Sequence, residues 1–134
     1  MRLTWTPNMA TGIASMDAEH RNLIAAHNDL VEALADGVAA DVAASLGRLL
    51  AMTQDHFRHE EDVMRATAFS GLSRHEVEHD LIITEFYNAR HRLLGGVIRT
   101  LDPAMMRQFK RWFVDHVTEM DFDYVAHLLD HGVE

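Results

Sequence analysis

Apolar side chains recur along this chain in alternating steps of three and four, the spacing of helices that turn one face inward. The first stripe is His20, Leu23/Ile24, His27, Leu30/Val31, Leu34. It predicts a helix over about 17–36, with Asp17 as N-cap and Asp36-Gly37 as the stop. A second stripe, Val42, Leu46, Leu49, Thr53, His56, Glu60, Val63/Met64, predicts a helix over about 40–66 that turns Arg58 and Asp62 outward. Phe69-Ser70-Gly71 reads as a turn. A third helix, about 73–95, opens on Ser73-Arg74-His75-Glu76, the pattern of a capping box, and frays at Gly95-Gly96. It turns His79, Ile82, Phe86 and Leu93 inward. Asp102-Pro103 starts the fourth helix, about 103–131, with Asp as N-cap and Pro at the first helical position. Its stripe is Met106, Phe109, Trp112/Phe113, His116, Met120, continuing to Leu128. Residues 1–16 hold Trp5, Pro7 and Gly12 without a helical period, and read as an extended N-terminal arm.

Four helices of about 20–25 residues joined by short connections predict an all-α fold, an antiparallel up-down-up-down four-helix bundle. The 134 residues suit a single domain over 1–134 with one packed core. Two prolines and seven glycines agree with long helices. The absence of cysteine excludes disulfides, iron–sulfur clusters and thiolate zinc sites. A formal net charge of −9 argues against a nucleic-acid backbone as partner. No stretch is long enough to span a bilayer and the first residues lack a signal-peptide core, so a cytoplasmic location and no membrane partner are expected. The sequence identifies no protein partner.

Ten histidines in so short a chain change the picture. His56-x-x-x-Glu60 and His75-x-x-x-His79 are two pairs at helical spacing, so each pair projects from one helix face with Cβ atoms roughly 5–6 Å apart. His20 and His116 sit on the inward stripes of the first and fourth helices, and Asp121 follows close behind. Imidazoles and carboxylates at core positions are costly unless they are paired or hold a metal. A lone core histidine is ordinarily satisfied by a hydrogen bond; here that explanation would have to hold on all four helices at once. Five imidazoles with two carboxylates and no sulfur suit zinc, copper, iron or nickel better than magnesium or calcium. These donors exceed one tetrahedral zinc and fit two octahedral ions that share carboxylate bridges.

Trp5 and Gly12-Ile13, Asp17-x-x-His20-x-x-Leu23, His56-Phe57-x-x-Glu60-Glu61-x-x-Met64, His75-x-x-x-His79 and Trp112-x-x-x-His116-x-x-x-x-Asp121 together resemble hemerythrin and bacteriohemerythrin, the non-haem di-iron oxygen-binding proteins. The resemblance covers nearly the whole chain. It implies that His75, His79 and His116 bind one iron, and that His20 and His56 bind the other, which keeps an open position. Glu60 and Asp121 would bridge the two iron ions (Fe2+/Fe3+) beside an oxo or hydroxo bridge. The implied function is reversible O2 binding for storage, delivery or sensing. With no signalling domain attached, storage or delivery is expected before sensing. Trp112, Phe113 and Val117 flank His116 and are candidates for the wall of the O2 pocket. His116 and Asp121 are five residues apart, about 140° on an ideal helix. Either Asp121 reaches around, or the helix is distorted there as π-bulges are at functional sites.

Other histidines read more plainly. His27 shares the first inward stripe and needs a hydrogen-bond partner if buried. His59, His91, His127 and His131 are expected at the surface, and Glu61 either in solvent or beside a metal ligand. Two alternatives belong to other classes. A di-iron enzyme acting on O2, peroxide or NO would use two Glu-x-x-His motifs, whereas this chain has one, Glu76-x-x-His79, which the capping box already explains. A zinc-loaded structural bundle would give no visible absorption in air.

Overall fold

The computed structural model describes residues 2–133, and at 119–122 the backbone alone. A short 3-10 turn, Pro7–Met9, interrupts the arm. The helices follow as α1 (Ala14–Asp36), α2 (Ala39–Ala66), α3 (Leu72–Leu94), α4 (Pro103–Asp115), a π-helical turn over His116–Met120, and α5 (Asp121–Asp130). The π turn joins α4 to α5 without a break, so the chain forms four rods and no strand among the described residues.

Contacts between rods fix their directions. Glu19 and Asp29 of α1 meet His56 and Arg48 of α2, so later residues of one face earlier residues of the other. Glu61 and Arg65 of α2 likewise meet His79 and Glu76 of α3. Phe86 and His79 of α3 meet Phe109 of α4 and His116. Neighbouring rods therefore run in opposite directions, and the ligand-bearing segments come to one level.

Two helix starts differ from the sequence expectation. α1 begins at Ala14, three residues before Asp17, with Ile13 at the cap position and no side-chain cap. Asp17 instead accepts from the Thr11 backbone N–H at 2.9 Å and the Thr11 hydroxyl at 2.8 Å, which ties the arm to the first turn. α3 begins at Leu72, with Gly71 as N-cap, and the Ser73/Glu76 capping box does not form. Glu76 reaches back to Arg65 of α2 at 3.5 Å. At the cap itself the Phe69 ring lies over Gly71 so closely that a Cβ there would sit 2.6 Å from it. At α4 the Asp102 carboxylate does cap, accepting from the Ala104 N–H at 2.8 Å. Gly37 ends α1 in the left-handed conformation (φ 75°) that favours glycine.

Buried apolar side chains form two clusters. The larger holds Leu30, Leu46, Phe86, Met106, Phe109 and Phe113 among others. The smaller, at the other end, holds Ile13, Met16, Met64, Tyr124, Val125 and Leu128. Near where they meet, every rod carries at least one buried histidine, and α2 adds Glu60.

Candidate metal centre

Six of the expected donors, His20, His56, Glu60, His75, His79 and His116, are each between 0 and 3 % exposed. Each stands where the helical period puts an inward residue, so what brings them together is the antiparallel packing of the four rods. The His20 and His56 Nε2 atoms are 3.1 Å apart, and His56 Nε2 also abuts Glu60 Oε1. His116 Nε2 lies 3.1 Å from the same Glu60 oxygen. The other oxygen, Glu60 Oε2, lies 3.4 Å from His79 Nε2. Two donor groups result, His20/His56/Glu60/His116 and Glu60/His75/His79, each with ligand atoms within 4.8 Å of one another. Glu60 belongs to both. The side chain of Asp121 lies outside the described residues.

His116 is set between the groups. Its Nε2 gathers with His20 and His56, yet its ring centroid is 5.3 Å from His79, against 6.0 Å from His56 and 6.4 Å from His20. The π turn begins at this residue. Its i→i+5 bonding brings residues five apart toward one face, which answers the His116–Asp121 spacing at the level of the backbone.

Burial by itself would raise the Glu60 carboxyl. The charges of His56 and His116, and hydrogen bonds from His116 and His56, outweigh it and hold the group well below the ordinary value. Glu60 is thus a buried anion ringed by imidazoles. Glu60 Oε2 and His79 Nε2 are buried without a hydrogen bond among the described residues, although they face each other. A cation seated between the two groups would satisfy both atoms, and the nitrogen and oxygen donors suit a borderline transition metal. The residues present fit iron.

Around the donors stand carboxylates and rings. Glu19 accepts from His56 Nδ1 at 2.7 Å through Oε1 and from His59 Nδ1 at 2.6 Å through Oε2. Burial raises the Glu19 carboxyl, and the hydrogen bonds and charges of His56 and His59 more than reverse that, so its pKa is lowered. On the other side Glu61 Oε2 is 3.4 Å from His79 Nδ1, which decides between the two readings of Glu61 in favour of a partner to the donor layer. Phe57 stacks on His79 (3.7 Å, 4°) and Trp112 on His116 (5.3 Å, 28°). Phe113 stands edge-on to His20 at 6.3 Å, and Val117 is fully buried.

Neither Glu19 nor His59 stood out in the sequence as part of the site. The available signal was periodicity: Glu19 precedes an inward residue and His59 precedes Glu60, so both fall on facing flanks of α1 and α2. His127 is half-buried rather than free, with Nε2 donating to the Thr67 carbonyl at 3.0 Å. His131 donates to the His127 carbonyl at 2.7 Å, so this pair spends one nitrogen each on backbone. His27 is buried on the inward stripe.

Residues 11–128 match the family model described as Hemerythrin HHE cation binding domain. A bacteriohemerythrin from Ralstonia nicotianae is 32 % identical over 119 residues, covering 89 % of this chain and 83 % of its own. A myohemerythrin from Riftia pachyptila is 34 % identical over 124 residues, covering 92 % of each chain. In fold, a wild-type hemerythrin crystal structure superposes with a TM-score of 0.88 at 22 % identity, covering 96 % of this chain and 98 % of that one. A family model spanning most of the chain and relatives above 30 % identity leave one assignment for a bundle with this buried donor layer: the chain belongs to the hemerythrin family.

Proposed function

We propose that this chain binds O2 reversibly at a non-haem di-iron centre in its donor layer, as an oxygen-binding protein and not an enzyme. The observation that carries this reading is Glu60, a fully buried carboxylate whose two oxygens face two separate groups of buried imidazoles. Two iron ions, when bound there, would supply the redox chemistry of O2 capture and release.

The chain's residues hold and shield that centre. In this reading His75, His79 and His116 would hold one ion, His20 and His56 would hold the other, and Glu60 and Asp121 would supply carboxylates to both. The position of the His116 ring nearer His79 than His56 supports its place in the first set. Nδ1 of His56 faces Glu19 and Nδ1 of His79 faces Glu61, so each ring is turned with Nε2 inward, the atom that would take a metal. Trp112, Phe113 and Val117 form the wall of the O2 pocket; their contacts with His116 and His20, and the burial of Phe113 and Val117, support this. An apolar wall admits O2 and excludes the water that would promote oxidation of the centre. Among the described residues no helix is long and apolar enough to cross a membrane; the cytoplasm remains the location in this reading.

The test is the optical spectrum of anaerobically iron-loaded chain before air, in air and after O2 is removed. A charge-transfer band that appears and disappears reversibly, with about two irons per chain, is expected. Irreversible conversion to a ferric form, or turnover of added peroxide, would move the chain to the enzyme class. Zinc without a band would leave a structural bundle.

A further inference from the structure

The donor layer is supported unequally from outside. Glu19 is held at both oxygens, Oε1 by His56 at 2.7 Å and Oε2 by His59 at 2.6 Å. Its counterpart Glu61 meets His79 at a longer 3.4 Å, and no histidine is seen on its second oxygen among the described residues. His56 and His59 are three apart on α2, so their rings bracket Glu19 from one helix face while Glu19 arrives from α1. A carboxylate with a different ring on each oxygen has its plane fixed. It then allows His56 one orientation, with Nδ1–H outward and Nε2 toward His20 and Glu60. Flipping the His56 ring would break a charge-assisted bond to Glu19, the stronger kind of hydrogen bond. His59 is 39 % exposed at its side chain, Glu19 29 % and His56 1 %, so the support runs inward from solvent. A surface cavity of about 300 Å³ lined by Glu19, Asp55, His56 and His59 opens on it.

We propose that His59 and Glu19 are a positioning pair for His56: His59 holds Glu19, and Glu19 holds the imidazole that binds the second iron. The inference rests on the di-iron reading above and names which outer residues govern one of its two ions. Neither residue touches the metal; both act through His56. His59 has its effect only by way of Glu19.

The experiment is iron release from full-length, iron-loaded chain to a ferrous chelator under argon, in wild type, Glu19→Ala, Glu19→Gln, His59→Ala and the Glu19→Ala/His59→Ala double variant. Glu19→Ala is expected to weaken one of two irons by about 10–100-fold, the usual effect of losing a partner to a metal-bound histidine. The other iron should stay within about twofold. Glu19→Gln, which keeps an acceptor oxygen for His56, should recover part of the loss. His59→Ala should weaken the same iron by about 3–10-fold, and the double variant should be no weaker than Glu19→Ala alone. Helical circular dichroism of the metal-free variants should match wild type, which separates loss of the partner from loss of the fold. Wild-type iron retention in Glu19→Ala, or a His59→Ala effect that persists undiminished without Glu19, would overturn the pair and leave the centre standing. A wild-type chain that holds fewer than two irons would overturn the di-iron reading and the pair with it.

Discussion

The two apolar ends of this bundle and the layer between them are built from the same helices on the same period, yet they do opposite things with burial. On α2, Val42, Leu46 and Leu49 give way along one stripe to Thr53, His56 and Glu60, and all six are buried. In the apolar part, burial is itself the driving force, at about 25 cal/mol per Å² of surface removed from water. In the donor layer burial is a cost, offset by contacts between imidazoles and carboxylate and, in the proposed function, by metal. A helix stripe thus specifies where a side chain goes without specifying what it contributes there. One part of the bundle holds the fold; the other uses the fold's dryness.

The comparison can be broken most sharply at Glu60. Glu60→Ala removes the carboxylate shared by both donor groups, so iron should fall from about two per chain to fewer than one by metal analysis, while helix content stays. Inserting an alanine after Thr118 in the π turn is expected next in size. It would set Asp121 one residue further from His116 and off that face, so iron content should fall with the helical signal retained. A change in the apolar part should do the reverse. Leu46→Ala, at a fully buried position, should cost about 2–5 kcal/mol in urea unfolding and leave iron stoichiometry intact.

Acid should separate the two parts again, more mildly. Glu60 and Glu19 have folded-state pKa values below the ordinary 4.5, so the stability they contribute is complete above that value. It is lost as pH falls below 4.5 toward their depressed values. Urea midpoints of metal-free chain should therefore drop between about pH 5 and about pH 3, and the slope should be shallower in Glu19→Gln. The smallest effect belongs outside both parts. Arg65→Ala removes exposed ion pairs with Asp62 and Glu76 and should change stability by less than about 1 kcal/mol.

Much of this was legible in the sequence because helical period and residue type act locally. Four inward stripes, the Asp102-Pro103 start and the Gly37 stop follow from nearest neighbours, and so does the presence of His20, His56, Glu60, His75, His79 and His116 among core positions. The starts of α1 and α3 were misjudged where tertiary contacts outweighed local capping: Asp17 was taken by Thr11 of the arm, and Glu76 by Arg65 across the bundle. Local signals could raise two possibilities for residues 116–121, a reaching side chain or a distorted helix, and the backbone adopts the distortion. Glu19 and His59 lie on different helices, 40 residues apart, and meet only because α1 and α2 pack antiparallel in one register. The Phe57 ring on His79 has the same origin. What the sequence by itself determined is which side chains turn inward, since that depends on the chain's own 3.6-residue period. What only the tertiary structure decided is which of them touch, since that depends on how one helix is seated against the next.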